Sequence, residues 1–396
     1  MGFATVCIVA LALTVALAGL RRGRRASIFT FGMFGLLTLS VIGVSPAFGS
    51  AAWVLLLGLG LTFGWWLGML RPRLRSAPWR WGVALPGHVF AAGGLLALPW
   101  ATAAGAGFHP WWPWLPWAIA GLGLFESVLW RDEVVDIVLD RAPIDGLRRI
   151  AAGGVTSDRP LRVVQITDPH LGPFVPVDRL RAICARAVAK DPDLVLLTGD
   201  FLTIETNAEA DALAQGLAPL AALPGRVFAC RGNHDLEAPD VVARALAAAG
   251  VVLLIDDARI VETRVGRVQV VGFDFVWRDR AAHLAAVCAR HPRVPGALRV
   301  AMLHDPGAFR HLAPGEADLV LAGHTHGGHL GLLRLGLPFT FVSVFADLPD
   351  HGLWARGADR LYVHRGTGHY GFPVRIGVPA EESLLRVHAA AGQQAS

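Results

Sequence analysis

The chain has 396 residues, of which 54% are hydrophobic and 17% are charged, a composition too apolar for an ordinary soluble protein. Its formal net charge is +5, but no run of Lys and Arg is interleaved with aromatic residues, so we do not expect a nucleic-acid partner. The cysteines form no Cys-x-x-Cys motif, which argues against a disulfide framework and against a cysteine-ligated zinc site. They are Cys7, Cys184, Cys230 and Cys288.

The apolar residues are concentrated in the first 130 positions, where the first acidic side chain is Glu126. We therefore predict an all-α transmembrane region over residues 1–130. A helix needs about 20 apolar residues to cross a bilayer. Apolar runs of about that length cover residues 3–20, 28–48, 51–70, 81–105 and 112–129. The first four are predicted spans, whereas Pro113, Pro116 and Glu126 weaken the fifth, so the predicted number of spans is four or five.

Arginines cluster at residues 21–25 and 71–80, after the first and third apolar runs. Because charges follow rather than precede the first run, we predict a true span and not a signal peptide. Arg-rich loops lie preferentially in the cytoplasm, so five spans would place the C-terminal part in the cytoplasm, whereas four would place it outside. We favour the cytoplasmic placement. His88 and Glu126 are interpreted as polar residues near helix ends that reach the membrane interface.

Residues 131–160 are predicted to form a linker, with a short strand at 134–139 and a connecting loop at 140–160. From 161 to 390, apolar β-branched runs alternate with Ala-rich helical stretches, which predicts a layered α/β domain. Each apolar run stops at polar residues, and ligands of such sheets collect beyond the strand ends. The predicted strands are 162–167, 194–198, 226–230, 298–303 and 319–322, and the predicted helices are 178–190, 208–222, 239–249 and 280–290.

Seven oxygen and nitrogen donors follow the predicted strands: Asp168, His170, Asp200, Asn233, His304, His324 and His326. With no thiolate among them, they suit divalent cations such as Mn, Fe or Zn. One cation rarely needs seven protein ligands, whereas two cations that share a bridging carboxylate do. Paired cations about 3.5–4 Å apart activate a water and clamp the oxygens of a phosphoryl transfer. Asp-x-His and His-x-His on an extended strand end place both side chains on one side, where they can bind one centre.

Each motif is weak alone, but the ordered set of DxH, GD, GNHD, H and GHTH after successive strands is specific. The set resembles the calcineurin-like metallophosphoesterase family over residues 161–387. The resemblance implies a four-layer αββα sandwich with a two-metal centre. By motif position it implies that Asp168, His170 and His326 hold one metal, that Asn233, His304 and His324 hold the second, and that Asp200 bridges both.

The family pattern also assigns roles to residues beside these ligands. His234 of the GNHD motif resembles the family's catalytic histidine, whose expected role is to protonate the leaving alcohol or to steady the phosphate. Asp235 would orient this histidine through a hydrogen bond. Arg231 precedes the motif and could bind an anionic substrate or form a structural ion pair.

The C-terminal stretch indicates one branch of the family. The GHTHGG form and residues 365–375 resemble the bacterial membrane-associated branch. His329 stands where that branch often has Gln, and His369 stands in a segment that usually carries small residues. We interpret both as variation at exposed positions, with an added phosphate contact as the alternative.

The sequence thus predicts a metal-dependent phosphoester hydrolase with several spans in the cell membrane, acting on a lipid-linked or membrane-proximal phosphodiester. Its catalytic domain, residues 161–390, would be cytoplasmic. One alternative is a membrane sensor with a catalytically weak phosphoesterase domain, which the complete ligand set and His234 disfavour. Another is a nuclease, which the lack of a basic groove disfavours.

Overall fold

The computed structural model describes residues 2–109, 111–139, 144–154 and 157–389. Within these ranges an N-terminal helical part precedes a part that contains two β-sheets. Residue 390, the predicted end of the catalytic domain, lies outside the described residues, as do residues 140–143 and 155–156 of the predicted linker. The domain limits therefore stay predictions.

The N-terminal part consists of apolar helices. Among the described residues they are α1 (Phe3–Arg22), α2 (Arg24–Val44), α3 (Trp53–Met69), α4 (Ala77–Trp79), α5 (Leu85–Leu96), α6 (Leu98–Gly105) and α7 (Leu115–Val128). Between α2 and α3 the backbone turns at Gly49, whose φ of 51° suits glycine. The two helices lie antiparallel, since Trp66 Nε1 donates a hydrogen bond of 2.8 Å to Thr30 Oγ1 and the Phe34 and Trp66 ring centroids are 5.3 Å apart.

Length and composition identify two helical stretches in the described residues that could cross a membrane, Phe3–Arg22 and Arg24–Met69. The pair Ala77–Leu96 and Leu98–Gly105, bent by 45°, would be a third if it forms one span. The turn at Gly49 divides the second stretch into α2 and α3. Because α7 has only 14 residues, it is shorter than a usual span. The number of spans, four or five, stays a prediction.

The second part contains the strands and the remaining helices. The strands are β1 (Trp130–Leu139), β2 (Ile144–Arg149), β3 (Leu161–Ile166), β4 (Leu194–Leu197), β5 (Val227–Ala229), β6 (Val252–Leu253), β7 (Asp257–Thr263), β8 (Gly266–Gly272), β9 (Leu298–Met302), β10 (Leu319–Ala322), β11 (Gly352–Gly357), β12 (Asp359–Val363) and β13 (Ala380–Ala389). The helices are α8 (Val177–Ala189), α9 (Ala210–Leu217), α10 (Pro239–Ala248), α11 (Arg280–Arg290) and α12 (Phe341–Phe345). Each predicted strand and helix from residue 161 onward is present.

The strands form two sheets that pack face to face. One sheet has six strands in the order β1-β13-β3-β4-β5-β6, and the other has seven in the order β2-β11-β12-β10-β9-β8-β7. Because successive residues of a strand point to opposite faces, Val163 lies in the core between the sheets and Val164 lies in the core under α8, α9 and α10. On the far side, Leu284 and Val287 of α11 pack on the seven-stranded sheet. This four-layer αββα arrangement confirms the predicted fold.

The residues predicted to form a linker contribute strands to both sheets. β1 runs parallel to β13, and its Ile137 is buried in the core between the sheets. β2 runs antiparallel to β11, with Arg149 opposite Trp354. The predicted loop over 140–160 is therefore wrong for residues 144–149. Their partner strand lies far along the chain, so no local pattern indicates the pairing.

The helices of the N-terminal part pack directly on the two-sheet part. Leu85 of α5 and Ala120 of α7 belong to the same buried apolar cluster as Val374. At the end of α7, Ser127 Oγ accepts the backbone N–H of Arg375 at 2.9 Å. These contacts bring the ends of several helices close to the loops that follow the sheet strands.

Candidate metal centre

The predicted ligands meet at one end of the two sheets. The segments after β3, β4, β9 and β10 are joined there by hydrogen bonds between chain segments. Asp168 N donates to Gly199 O at 3.0 Å, and Gly323 N donates to His304 O at 2.9 Å. His304 Nδ1 donates to the carbonyl of Thr198 at 2.6 Å and so links the two sheets. The strand ends are thereby held in fixed relative positions.

Six of the predicted ligands form two compact groups. One group is Asp168, His170 and His326, and the other is Asp200, His304 and His324; within each group the possible ligand atoms all lie within 4.8 Å of one another. Asp200 Oδ2 is 3.3 Å from His304 Nε2 and 3.6 Å from His170 Nε2. This carboxylate therefore lies between the two groups, where a bridging ligand would be expected.

Several atoms that could bind a metal at this centre are not used in hydrogen bonds between the described residues. Asn233 Oδ1 and His304 Nε2 are buried and have no hydrogen-bond partner among those residues, although buried polar atoms normally have one. His170 Nδ1 donates to the carbonyl of Leu202 at 3.1 Å, which leaves Nε2 for the centre. The residues present thus fit divalent cations.

The electrostatics of the centre also favour a cation. Burial and the neighbouring carboxylate of Asp200 raise the pKa of Asp168 to about 6. Burial lowers the pKa of His170 to about 3, so its imidazole is neutral, which is the form that binds a metal. A cation beside the two carboxylates would offset the repulsion that raises the pKa of Asp168.

The backbone at the ligands is held in an uncommon conformation. The angle φ lies between 45° and 69° at Asp168, His170, Asp200, His324 and His326. Such left-handed residues cost about 1–3 kcal/mol each and persist where the surroundings fix them, often at ligand sites. The neighbouring glycines are also required, since a Cβ atom at Gly232 would overlap Asp200 Oδ1 and one at Gly323 would overlap Asp168 Oδ2.

Comparison with known proteins establishes the family. A family model described as calcineurin-like phosphoesterase matches residues 161–328. Phosphodiesterase YaeI of Escherichia coli (strain K12) is 30% identical over 233 residues, which cover 58% of this chain and 82% of that protein. The chain belongs to the calcineurin-like metallophosphoesterase family. It is therefore a phosphoric ester hydrolase.

This metallophosphoesterase spans a smaller share of the length of other relatives. An uncharacterized metallophosphoesterase of Helicobacter pylori (strain J99 / ATCC 700824) is 27% identical over 237 residues, covering 58% of this chain and 60% of that protein. The transmembrane protein with metallophosphoesterase domain of Danio rerio is 28% identical over 239 residues, covering 56% of this chain and 52% of that protein. The solved Haemophilus influenzae NAD nucleotidase has a TM-score of 0.36 at 15% identity, covering 52% of this chain and 50% of that one. The long apolar helices and the transmembrane relatives together indicate membrane association.

The structure changes the predicted role of one residue of the GNHD motif. His234 Nδ1 donates to Glu237 Oε1 at 2.9 Å. Asp235 instead accepts backbone N–H groups, from Asp200 at 2.7 Å, from Gly232 at 2.8 Å and from Phe201 at 2.9 Å. The prediction that Asp235 orients the His234 ring is therefore wrong. Asp235 holds the loop that carries Asp200, and Glu237, which the motif did not indicate, contacts the histidine.

The contact with Glu237 also affects the charge of the histidine. Burial alone would lower the pKa of His234, but the hydrogen bond from its ring to Glu237 and the charge of Asp200 raise the pKa above its ordinary value. The second ring nitrogen, Nε2, is not used in this hydrogen bond. It is available to a ligand at the centre.

Arg231 lies beside the motif in a bidentate ion pair. Its Nε and one terminal nitrogen donate to the two carboxylate oxygens of Asp274 at 2.9 and 2.5 Å. The guanidinium is thus already bound by a carboxylate in this structure, as the structural alternative expects. A contact between Arg231 and the substrate stays a prediction.

The histidines interpreted as exposed variation are not exposed. His369 is only 3% exposed, and its ring lies 4.1 Å from that of Phe174. His329 is half-buried and stacks on the metal-centre residue His326 at 4.8 Å. The interpretation as exposed positions is therefore wrong, because the helical part covers this side of the centre.

The two polar residues of the helical part also differ from the interpretation that they reach the membrane interface. His88 is only 8% exposed and contacts the Trp65 ring at 3.7 Å. Glu126 is buried and pairs with Arg334 at 2.6 Å. Both side chains face protein, because the helices that carry them pack on the two-sheet part.

Proposed function

We propose that this chain is a membrane-anchored phosphodiesterase that binds two divalent cations, Mn, Fe or Zn, and hydrolyses a membrane-proximal phosphodiester. The observation that carries the proposal is the pair of ligand groups with Asp200 between them. Two cations, when bound, would activate a water and neutralise charge on the phosphate. The name of the E. coli relative, a phosphodiesterase, supports a diester substrate.

The residues of the chain would share the remaining tasks. Asp168, His170 and His326 would hold one cation, Asn233, His304 and His324 the other, and Asp200 both. His234 Nε2 would contact the phosphate or pass a proton to the leaving oxygen, a role that contributes about 10²–10⁴-fold to a rate. Glu237 would fix the ring through the 2.9 Å contact with Nδ1.

The helical part supports anchoring with the catalytic side in the cytoplasm. The two-sheet part contacts the segment that carries the second arginine cluster, at residues 71–80. Leu74 N, in the cluster that follows α3, donates to Glu209 at 2.9 Å, and Arg80 donates to the carbonyl of Pro173. Arg-rich segments of membrane proteins prefer the cytoplasmic side, so the domain bound to them would be cytoplasmic as well.

Labelling of introduced cysteines tests this topology. All four native cysteines are buried, so background labelling is low. We would introduce His311→Cys, an exposed site of the two-sheet part, and Trp111→Cys, 83% exposed at the opposite end of the helices, one at a time. A membrane-impermeant maleimide applied to spheroplasts should label the cysteine at 111 and not that at 311. The reverse pattern would place the catalytic side outside.

Turnover by the full chain in detergent micelles tests the activity. The substrates are bis(p-nitrophenyl) phosphate, a diester, and p-nitrophenyl phosphate, a monoester, each with Mn, Fe or Zn and with a chelator. Asp200→Asn should abolish metal-dependent turnover, and His234→Ala should lower it by about 10²–10⁴-fold. Asp211→Asn and His311→Ala, both at exposed positions, are the matched controls and should leave it unchanged.

Each outcome of this assay is decisive. Diester turnover that needs metal and Asp200 supports the proposal, and preference for the monoester would replace the diester assignment. A folded protein that binds two cations and turns over neither ester refutes the enzymatic proposal. That result would leave the alternative of a membrane sensor with a catalytically weak domain.

A further inference from the structure

One cavity connects the metal centre with the interior of the helical part. It has a volume of about 550 Å³. His170, Asp200 and His234 line one end, and Met33 of α2, Trp65 of α3 and Leu95 of α5 line the other. A site of this size is typical of small-molecule pockets, which hold about 300–1,000 Å³. Its two ends differ sharply in polarity, so a ligand that fills it must be polar at one end and apolar at the other.

The passage between the two ends of the cavity is lined by aromatic rings that contact one another. Tyr370 stacks on His170 at 5.1 Å and lies edge-on to His234 at 5.0 Å, while it also packs against the apolar core of the helical part. Phe174 lies 4.8 Å from His88. The polar centre therefore passes into the helix interior through an aromatic neck rather than through a charged or solvated wall.

The cavity is also accessible from the side that would face lipid. Phe29 and Met33 of α2 line it and are themselves 51% and 38% exposed. Arg22 also lines the cavity, and its Nε donates to the carbonyl of Leu70 at 2.8 Å. An opening between apolar side chains with a guanidinium at its edge suits an anionic amphiphile that enters from a bilayer.

We propose that this cavity binds the hydrocarbon chain of the substrate, so that the enzyme hydrolyses a phospholipid-type ester whose phosphate lies at the metal centre and whose chain lies between α2, α3 and α5. The inference rests on the proposed function, which it deepens by naming the substrate class. In the reaction, water adds to phosphorus, one P–O ester bond breaks, and the leaving oxygen takes a proton, with no change of oxidation state. A compact polar ester would contact only one end of the cavity.

A chain-length series tests the proposal. The full chain in lipid nanodiscs, loaded with Mn, would be given p-nitrophenyl alkyl phosphates with methyl to octyl chains, all kept below their micelle concentrations. Each methylene that enters an apolar cavity from water is expected to lower KM by about two- to fourfold until the cavity is filled. The readout is the ratio of kcat/KM for the octyl ester to that for the methyl ester.

Two variants on one helix localise the effect. Met33→Trp would fill the cavity, and we expect it to lower the octyl-to-methyl ratio at least tenfold. Leu39→Trp makes a comparable change at a 66% exposed position of α2 outside the cavity lining and should keep the wild-type ratio. If Met33→Trp does not fold, a dodecyl phosphate with a terminal diazirine, used on the wild type, should label peptides of α2, α3 or α5, and octyl phosphate should prevent the labelling.

The results separate this inference from the proposed function. A methyl ester hydrolysed with metal but with no dependence on chain length refutes the cavity proposal and leaves the phosphodiesterase intact. The same holds if Met33→Trp keeps the wild-type ratio, or if labelling falls only on bilayer-facing positions and is not competed. An absence of turnover for every chain length, in a folded protein that binds metal, refutes the proposed function itself.

Discussion

Asp235→Asn tests the role that the structure gives to this carboxylate. The side chain is completely buried; Oδ2 accepts the N–H groups of Asp200 and Gly232, and Oδ1 accepts that of Phe201. An asparagine keeps one carbonyl oxygen, but its NH2 group must then face at least one backbone N–H group. We therefore expect the loss of one or two hydrogen bonds and a repulsive contact beside Asp200.

The magnitude follows from these bonds. A hydrogen bond contributes about 1 kcal/mol between neutral groups and about 1.5–3 kcal/mol to a charged group, and a buried donor left unsatisfied costs about 1–3 kcal/mol. One or two lost bonds thus predict a decrease of about 2–5 kcal/mol in the free energy of unfolding, a large share of the ~5–15 kcal/mol typical of a domain. Because the freed N–H belongs either to Asp200 or to its neighbour Phe201, we also expect metal affinity to fall by about 10–100-fold, as when other groups that orient metal ligands are changed.

The assay combines thermal unfolding, followed by tryptophan fluorescence, with Mn titration of chelator-treated protein, both on the full chain in detergent. Asp235→Asn should unfold at a lower temperature and bind Mn more weakly, whereas Asp211→Asn, at an exposed position on α9, should match the wild type. The reasoning fails if Asp235→Asn unfolds at the wild-type temperature and its loss of turnover is not additive with that of His234→Ala. That pattern is expected of a residue that acts only through the histidine.

Three further predictions follow from the structure. Glu237→Gln should lower kcat several-fold without changing the unfolding temperature. The substitution removes the negative charge beside the partly exposed His234 but leaves no buried backbone N–H without an acceptor. A complete loss of turnover together with an altered unfolding temperature would contradict this prediction. Removing metal with a chelator should lower the unfolding temperature, and added Mn should restore it, since a ligand at about 100 times its Kd stabilises by ~2.7 kcal/mol. Although burial opposes ionisation, hydrogen bonds from His351 and Thr340 hold the pKa of Asp350 at about 2, below the ordinary 3.8. Its stabilisation is complete above pH ~4 and is lost as the pH falls toward 2, a change of about 2 kcal/mol, so the difference in unfolding free energy between wild type and Asp350→Asn should shrink over that range and stay constant above it.

The meeting of the predicted metal ligands at one place could be predicted because each of them follows a buried strand in a parallel arrangement. β3 pairs with β4, placing Ile166 beside Leu197, and β9 pairs with β10 in the second sheet. Parallel strands end at the same edge, so residues that follow them in sequence also meet in space. The order of motifs along the chain therefore contained the geometry of the centre.

The hydrogen-bond partner of His234, Glu237, could have been predicted from the helical spacing of three residues between them. Adjacent residues in a helical turn point in different directions, whereas residues three apart lie on the same face. Residues 235–237 form a short helical turn that begins after His234, so Glu237 faces the ring and Asp235 faces the interior. The motif alone had instead indicated the neighbouring carboxylate, Asp235, as the partner.

The burial of His369 and of the cavity neck could not be predicted in this way. It depends on contacts between Phe174 and His88, residues of separate parts of the chain, which only the packing of α5 on the loops of the metal centre brings together. Periodicity identifies each helix but not the face that covers another part of the protein. The same limitation applies to β2, whose partner is β11.

Helix α7, which corresponds to the fifth and least certain of the predicted spans, ends against the two-sheet part. At about 1.5 Å per residue, the 14 residues of α7 extend only about 21 Å, less than the ~30 Å of a bilayer core. Its C-terminal end lies against protein, because a Cβ atom at Gly123 would approach Arg375 O to 2.6 Å and Ser127 Oγ binds the Arg375 backbone. The last turn of α7 is therefore covered by the two-sheet part rather than by lipid. A short helix can complete a crossing under these conditions, so the side on which the catalytic domain lies depends on this interface rather than on hydropathy alone.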